Sequence, residues 1–401
     1  MRKKERDALT EGLIQQYEPE FIQWRRYFHR NPELSFEEFE TSDFIAERLS
    51  EMGYAVKRNI GGTGVIGMLD TGKPGPVIAF RADMDALPLI EATGLPFESA
   101  KCGLMHGCGH DAHMAVVLGT AKILSLAKEE LKGCIKMIFQ PGEEANGGAK
   151  CMINDGALKD PDVEAIFALH IIPELEAGTI GIKDGYLSAT DDEVAIRVYG
   201  ISCHSSAPED GVNAIMIAAN ILTALQSIQT NCISPHDVAT FSICKIKGGD
   251  AINVLADYVE MSGMIRCIEK KNKLIFREKI EKISHSIAAA MGGTAEIDVI
   301  EGFPAVNNDP KLTGLVMDAA SESLGSPERV ILIKHPHLGS EDFSYYQEEI
   351  PGVMFMLGAG TACEDRGTLH STALNIHEDS LAYGVRIFAN VAMRMCGAEA
   401  P

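Results

Sequence analysis

Nine consecutive residues, Met105-His106-Gly107-Cys108-Gly109-His110-Asp111-Ala112-His113, hold one thiol, three imidazoles and a carboxylate, with glycines between them. Each of those side chains ligates a transition metal once it is deprotonated or neutral. The glycines flanking Cys108 let the backbone turn tightly enough to bring Cys108 and His110 to one point. Further on, Gln140-Pro141-Gly142-Glu143-Glu144 offers adjacent carboxylates. Neighbouring carboxylates repel unless a cation or a proton separates them. Soft and hard ligands with a spare carboxylate point to metal-assisted hydrolysis, one glutamate holding metal and its neighbour moving protons.

Other groups extend this set. His170 closes the apolar stretch Phe167-Ala168-Leu169, and His370 lies in Thr368-Leu369-His370-Ser371. Taken singly, each reads equally well as a hydrogen-bonded core histidine. Asp83 and Asp85 alternate in Arg81-Ala82-Asp83-Met84-Asp85, so on a strand they share one face. His113 lies one helical turn beyond His110 and reads as a residue behind the ligands or as simple packing. His106 is left open in the same way. Asp111 is placed to cap the helix that follows. Cys108 with His110 or His106 could instead be a nucleophile and its base, but the Glu-Glu pair and the surplus of histidines favour metal. A zinc deaminase would need His-x-Glu followed by Cys-x-x-Cys, and a zincin would need His-Glu-x-x-His; neither pattern occurs.

The elements that must position these groups alternate. Leu13, Ile14, Tyr17, Phe21, Trp24 and Phe28 recur at helical spacing, and residues 37–52 read as a second helix. Apolar runs at 65–69, 77–80, 135–139 and 165–169 read as strands, with helices over 111–130 and 147–157 between them. Such alternation predicts an α/β layer on a mostly parallel sheet. The candidate groups of this half, Asp83 and Asp85, Glu143 and Glu144, and His170, follow the carboxyl ends of three such runs. Open α/β sheets place their ligand crevice there. From residue 187 the pattern changes. Strands are expected at 192–199, 238–246 and 258–267, and helices at 211–228 and 272–291. A β-α-β-β-α-β order is an α+β layer of ferredoxin-like type. The expected organisation is a discontinuous catalytic domain, 1–186 with 297–401, interrupted by an inserted domain at 187–296.

The bulk numbers set limits. A chain of 401 residues, 46% hydrophobic and 23% charged, is that of a globular protein large enough for two cores. A net charge of −21 argues against nucleic acid and anionic membrane as partners. The polar opening Met1-Arg2-Lys3-Lys4-Glu5-Arg6-Asp7 does not resemble a signal peptide, and no apolar run is long enough to span a membrane. The ten cysteines are scattered, and most read as reduced, buried thiols. These features favour the cytoplasm.

Several ordered motifs resemble the M20 metallopeptidase family, in its amidohydrolase branch of aminoacylases, hippurate hydrolases and auxin-conjugate hydrolases. They are Phe28 to Ser35, Arg81 to Pro88, Met105 to His113, Gln140 to Glu144, Gly339 to Ser344 and Leu369 to Ser371. The resemblance implies a zinc-peptidase-like α/β domain with a dinuclear metal site and an inserted α+β lid domain that dimerises. Carried over motif by motif, it makes Cys108, His110, Glu144, His170 and His370 the metal ligands, with Cys108 bridging both ions. Glu143 matches the general base, and Asp85 the aspartate that orients a ligand. His204, in Cys203-His204-Ser205, matches the lid histidine that stabilises the oxyanion in the other subunit's site. Asn253 and Arg266 match groups that hold the substrate carboxylate, a task that suits the arginine fork.

The resemblance thus implies hydrolysis of N-acyl amino acids by two divalent ions per subunit, zinc first, with manganese, cobalt or nickel open. A dipeptidase or carboxypeptidase of the same family is the neighbouring reading, and a silent metal-binding homologue the distant one. One departure bears on specificity. Where the lid motif of the family carries a second histidine, this chain has Glu209. That places the acyl preference in question and leaves the chemistry intact.

Overall fold

Apolar strands in this chain are interrupted by charged residues at fixed places, and those places decide where the site forms. The computed structural model describes residues 3–145, 147–360 and 367–397; Met1, Arg2 and one of the ten cysteines, Cys363, lie outside them. The chain divides into two units, 1–187 with 306–335 and 342–401, and 188–305 with 336–341.

The first unit opens with α1 (Lys3–Arg30) and α2 (Phe39–Glu51), followed by β1 (Ala55–Ile60), β2 (Gly64–Asp70) and β3 (Val77–Asp83). Helix α3 (His110–Leu126), β4 (Cys134–Gln140), α4 (Gly148–Asn154), β5 (Ala165–Glu176), β6 (Ile180–Ile182) and β7 (Gly185–Tyr186) come next. The second unit holds β8 (Asp192–Tyr199), α5 (Ala214–Asn231), β9 (Ala239–Gly248), β10 (Tyr258–Cys267), α6 (Lys270–Ala290) and β11 (Thr294–Ile300). The first unit then resumes with β12 (Asn307–Asn308), α7 (Pro310–Leu324), β13 (Val330–Leu332), α8 (Ser344–Glu349), β14 (Gly352–Gly360) and α9 (Asp379–Cys396).

Among the described residues the large sheet runs β1-β2-β4-β3-β5-β14-β6-β13. The β4–β3, β3–β5, β5–β14 and β6–β13 pairs are parallel, and β1–β2, β2–β4 and β14–β6 are antiparallel. This is the mixed, mostly parallel α/β sheet expected. Its strands alternate between two cores. Ile78, Phe80 and Ala82 face the core built with α1, α3 and α9, while Ala79 faces the opposite one. The buried Phe21, Phe80, Phe139 and Phe388 belong to the first; each contributes roughly 1.5–3 kcal/mol of transfer free energy. Helix α3 is buried along most of its length, consistent with an apolar surface all round.

The second unit is the β-α-β-β-α-β layer expected, with an antiparallel sheet in the order β11-β8-β10-β9. The expected domain limit at 296 falls inside β11, whose pairing with β8 continues to Ile300 opposite Glu193. Strand β9 is an edge, and Cys244, Lys245, Ile246 and Lys247 on it are exposed. No helix among the described residues is long and apolar enough to cross a membrane.

Three local expectations need correction. Strand β5 does not stop before His170; it continues to Glu176, because pairing with β14 carries on past the point where β3 drops out at Ala168. Asp111 does not cap α3. Gly109 stands at the cap with φ of 86°, and Asp111 lies inside the first turn with its carboxylate turned inward to Arg25 and His29. Cysteine burial is lower than expected: Cys108, Cys134, Cys267 and Cys396 are buried, but Cys102, Cys151 and Cys244 are exposed and Cys203 and Cys232 half-buried. All of these described cysteines are free thiols.

Candidate metal centre

The middle of β5, the loop after β4, the start of α3 and the segment around His370 converge on Cys108. His170 Nε2 lies 3.4 Å from its sulfur. His370 Nε2 lies 3.2 Å from the same atom and 3.3 Å from Glu144 Oε1. Two groups of donors therefore share Cys108: Cys108, His110 and His170 in one, and Cys108, Glu144 and His370 in the other, with ligand atoms within 4.8 Å of one another. Glu143 joins His110 and Glu144 within the same distance.

The imidazoles are locked from behind. Asp85 Oδ1 sits 3.2 Å from His110 Nδ1, which makes Nδ1 the donor and turns the Nε2 lone pair inward. His170 Nδ1 donates to the Ile171 carbonyl at 2.7 Å, with the same result. His110 Nε2 and Glu144 Oε1 are buried and have no well-formed hydrogen bond among the described residues. The charged groups nearest them, Asp83 Oδ2 at 3.7 Å from His110 Nε2 and His370 Nε2 at 3.3 Å from Glu144 Oε1, do not complete a hydrogen bond, and a cation placed there would serve both. The donor set therefore fits metal: a thiolate, three imidazoles of which those of His110 and His170 are turned inward from behind, and carboxylates.

The charges agree. Burial pushes the Cys108 thiol up, but His170 and His110 beside it more than offset this and bring it down to about 6. The hydrogen bond that His370 donates to Cys108, with the Glu144 carboxylate beside it, raises His370 to about 10. Burial pushes Glu144 up, and His370 and His110 hold it below the usual carboxylate range. Protons on imidazoles balance the anionic groups; divalent cations would do the same and leave the imidazoles neutral.

His113 is settled as a support. Its Nδ1 lies 2.6 Å from Asp83 Oδ1 and its Nε2 accepts the Ile171 N–H at 2.9 Å, so neither nitrogen remains to ligate. It thereby fixes the backbone next to His170. Asp83 is buried between His113 and Arg81, 3.7 Å from His110 Nε2. His106 is buried, its environment lowers it to about 4, chiefly through burial, and no described residue bonds its ring nitrogens.

Sequence reasoning missed a layer behind the site. Arg81 is fully buried and donates to Gln140 Oε1 at 2.9 Å, Asp83 Oδ2 at 2.7 Å and Asp342 Oδ1 at 2.7 Å. Gln140 and the Ala149 amide also donate to Asp342. A cation inside the apolar strand Val77-Ile78-Ala79-Phe80-Arg81 was the available signal, because such a charge must be paired. His29 bridges Asp111 at 2.9 Å and Glu91 at 3.0 Å, and anchors the start of α3. Burial would lower His29, but bonds to Asp111 and Glu91 leave it raised.

In the second unit His204 and Asn253 lie side by side. His204 pairs with Val254 across an isolated bridge, and Ser205 N–H donates to the Asn253 carbonyl at 2.9 Å. His204 Nδ1 accepts the Ser206 N–H at 3.1 Å, so its Nε2 carries the hydrogen of the neutral ring. Arg266 stands near the far end of β10 and donates to the Leu338 carbonyl at 2.8 Å. The strand runs about 25 Å from Tyr258 to Arg266, at about 3.3 Å per residue, and His204 and Asn253 lie at its Tyr258 end. Asn253 and Arg266 are therefore not neighbours within one chain.

The model of peptidase family M20/M25/M40 matches residues 79–394. The chain belongs to this family. It is 38% identical to an N-acetyl-L-cysteine deacetylase of Bacillus subtilis, over 85% of this chain and 80% of that one. It is 36% identical to thermostable carboxypeptidase 2 of Saccharolobus solfataricus, over 95% and 96% of the two chains. A solved Bacillus subtilis structure described as a dinuclear metal binding peptidase of the M20 family superposes with a TM-score of 0.82 at 35% identity, covering 94% of this chain and 98% of that one. Family and fold make this an M20 metallohydrolase whose second unit corresponds to the lid domain.

Proposed function

We propose that this M20 hydrolase cleaves the amide bond of N-acyl amino acids with two divalent ions, zinc foremost and manganese, cobalt or nickel compatible with the same ligands. The observation that carries the reading is the shared sulfur of Cys108 between two donor groups, with the Glu143 carboxylate beside them. In this reading Cys108, His110 and His170 hold one ion, and Cys108, Glu144 and His370 the other. When bound, the ions supply Lewis-acid activation of the scissile carbonyl and of water at neutral pH. Glu143 takes the proton from the attacking water and later delivers it to the leaving amine. Asp85 keeps His110 turned inward, and the deacetylase relative supports the N-acyl substrate class.

His204, Asn253 and Arg266 complete the substrate site from two lids of a homodimer. The exposed edge of β9, with Ile246, and the exposed Ile215 and Met216 on α5 support pairing of lid domains. One lid cannot bring both ends of β10 to one small substrate. His204, with Nε2–H as its free donor, serves the oxyanion of the partner's site, Asn253 beside it reaches the substrate carboxylate in that same site, and Arg266 binds the carboxylate in its own. Accordingly, His204→Ala and Arg266→Ala homodimers should both be nearly inactive, while mixing the two variants should restore one working site per mixed dimer. A mixture no more active than its components would refute the two-lid arrangement.

The carboxypeptidase relative favours a second reading, in which the acyl group is an aminoacyl residue and the substrate a peptide. Kinetics on N-acetyl, N-benzoyl and indole-acetyl amino acids alongside dipeptides decide between them. The proposal expects kcat/KM for at least one N-acyl amino acid to exceed that for every dipeptide by tenfold or more. The reverse order would make the protein a peptidase.

A further inference from the structure

The loop that carries Glu143 and Glu144 is held on both sides of Glu143 by buried carboxylates. On one side the Glu144 N–H donates to Asp85 Oδ2 at 2.9 Å. On the other the Gly142 N–H donates to Glu38 Oε1 at 2.9 Å. Glu38 is wholly buried, and its second oxygen accepts the Thr63 hydroxyl. No part of the proposed reaction uses it, and burying a carboxylate is costly unless its oxygens are engaged.

The surrounding segment reinforces the hold. Gly142 has φ of +62°, and a Cβ there would meet the Phe36 ring at 2.5 Å, so that ring lies against the loop. Phe36 itself has φ of 63°, a left-handed conformation that side-chain-bearing residues adopt rarely and mostly where surrounding contacts impose it. One residue earlier, Ser35 donates to Asp85 Oδ2 at 2.6 Å. Residues 35–38 thus touch both anchors of the loop.

We propose that Glu38 is a positioning residue for Glu143, and that the segment 35–38 is the clamp that sets the height of the base in the site. A carboxylate only accepts, so Glu38 forces the Gly142 N–H to point at it and fixes the peptide plane one residue before Glu143. A base displaced by about an ångström loses on the order of 100-fold in rate. The inference rests on the base role given above to Glu143.

The test compares Glu38→Ala, Glu38→Gln and Glu143→Ala with the unmodified protein for kcat, KM and bound metal. Glutamine keeps a carbonyl for the Gly142 N–H and an amide that can donate to the Thr63 oxygen. Glu38→Ala should lose kcat by about 10- to 100-fold, with KM and metal content unchanged, and Glu38→Gln should recover most of it. Should Glu38→Ala not fold, Thr63→Val removes only the second tether and should lower kcat by a smaller factor, again at constant KM and metal content. Full kcat in Glu38→Ala, or in Thr63→Val where the former is insoluble, overturns the proposal. So does a parallel fall of kcat and metal content that glutamine does not rescue. If Glu143→Ala stays active, the base reading has failed and takes the clamp with it; if Glu143→Ala is dead while Glu38→Ala is fully active, only the clamp has failed.

Discussion

A protein carrying Glu143→Ala should bind its full complement of metal and lose hydrolysis by about 10²–10⁴-fold, the usual contribution of a positioned general base. The expectation follows from a division of labour between neighbouring carboxylates. Glu144 shares a donor group with Cys108 and His370, whereas Glu143 stands within 4.8 Å of His110 and Glu144 but outside both Cys108-centred groups. Removing Glu143 leaves the thiolate, the three imidazoles and Glu144 in place. Metal analysis of the purified variant and single-turnover kinetics separate the two effects. Near-wild-type kcat would take Glu143 out of proton transfer, and loss of metal with the activity would make it a ligand.

Cys108→Ala should act at the other level. The sulfur belongs to both donor groups, so its loss leaves His110 with His170, and Glu144 with His370. Two donors each are too few to hold a divalent ion against water, and the structural tetrahedral and catalytic zinc sites both use more. Bound metal should fall well below one ion per chain, and hydrolysis should drop to background. The rival in which Cys108 is a nucleophile, which needs no metal, predicts a different pattern: turnover lost with metal content no different from that of the unmodified protein. Elemental analysis of the variant distinguishes these directly.

Much of the fold was legible because its periodicities are clean. The strand at 258–267 and the β-α-β-β-α-β order follow from alternating burial on one face of a sheet. The ligand cluster was legible because glycines and polar groups in Gly107 to His113 have no use in a core. Long-range effects were not legible. Asp111 has the spacing of a cap, yet Arg25 and His29 on α1 draw its carboxylate inward and Gly109 makes the turn instead. His170 reads as a strand end because its apolar run stops there, but β14 pairs alongside it to extend the strand. The Arg81, Gln140 and Asp342 network joins residues from three distant segments, and only the oddity of a charge in a buried strand hinted at it. Asn253 and Arg266 share a role by motif, and only the length of β10 reveals that one lid cannot bring them together.

The central claim is that hydrolysis of an N-acyl amino acid depends on metal held around Cys108. The direct measurement is turnover of the best N-acyl amino acid while the chelated protein is titrated with zinc or manganese. The account predicts that chelation abolishes turnover and that it returns with added metal, saturating near two equivalents per chain. Turnover that persists in protein shown by elemental analysis to be free of metal would contradict it.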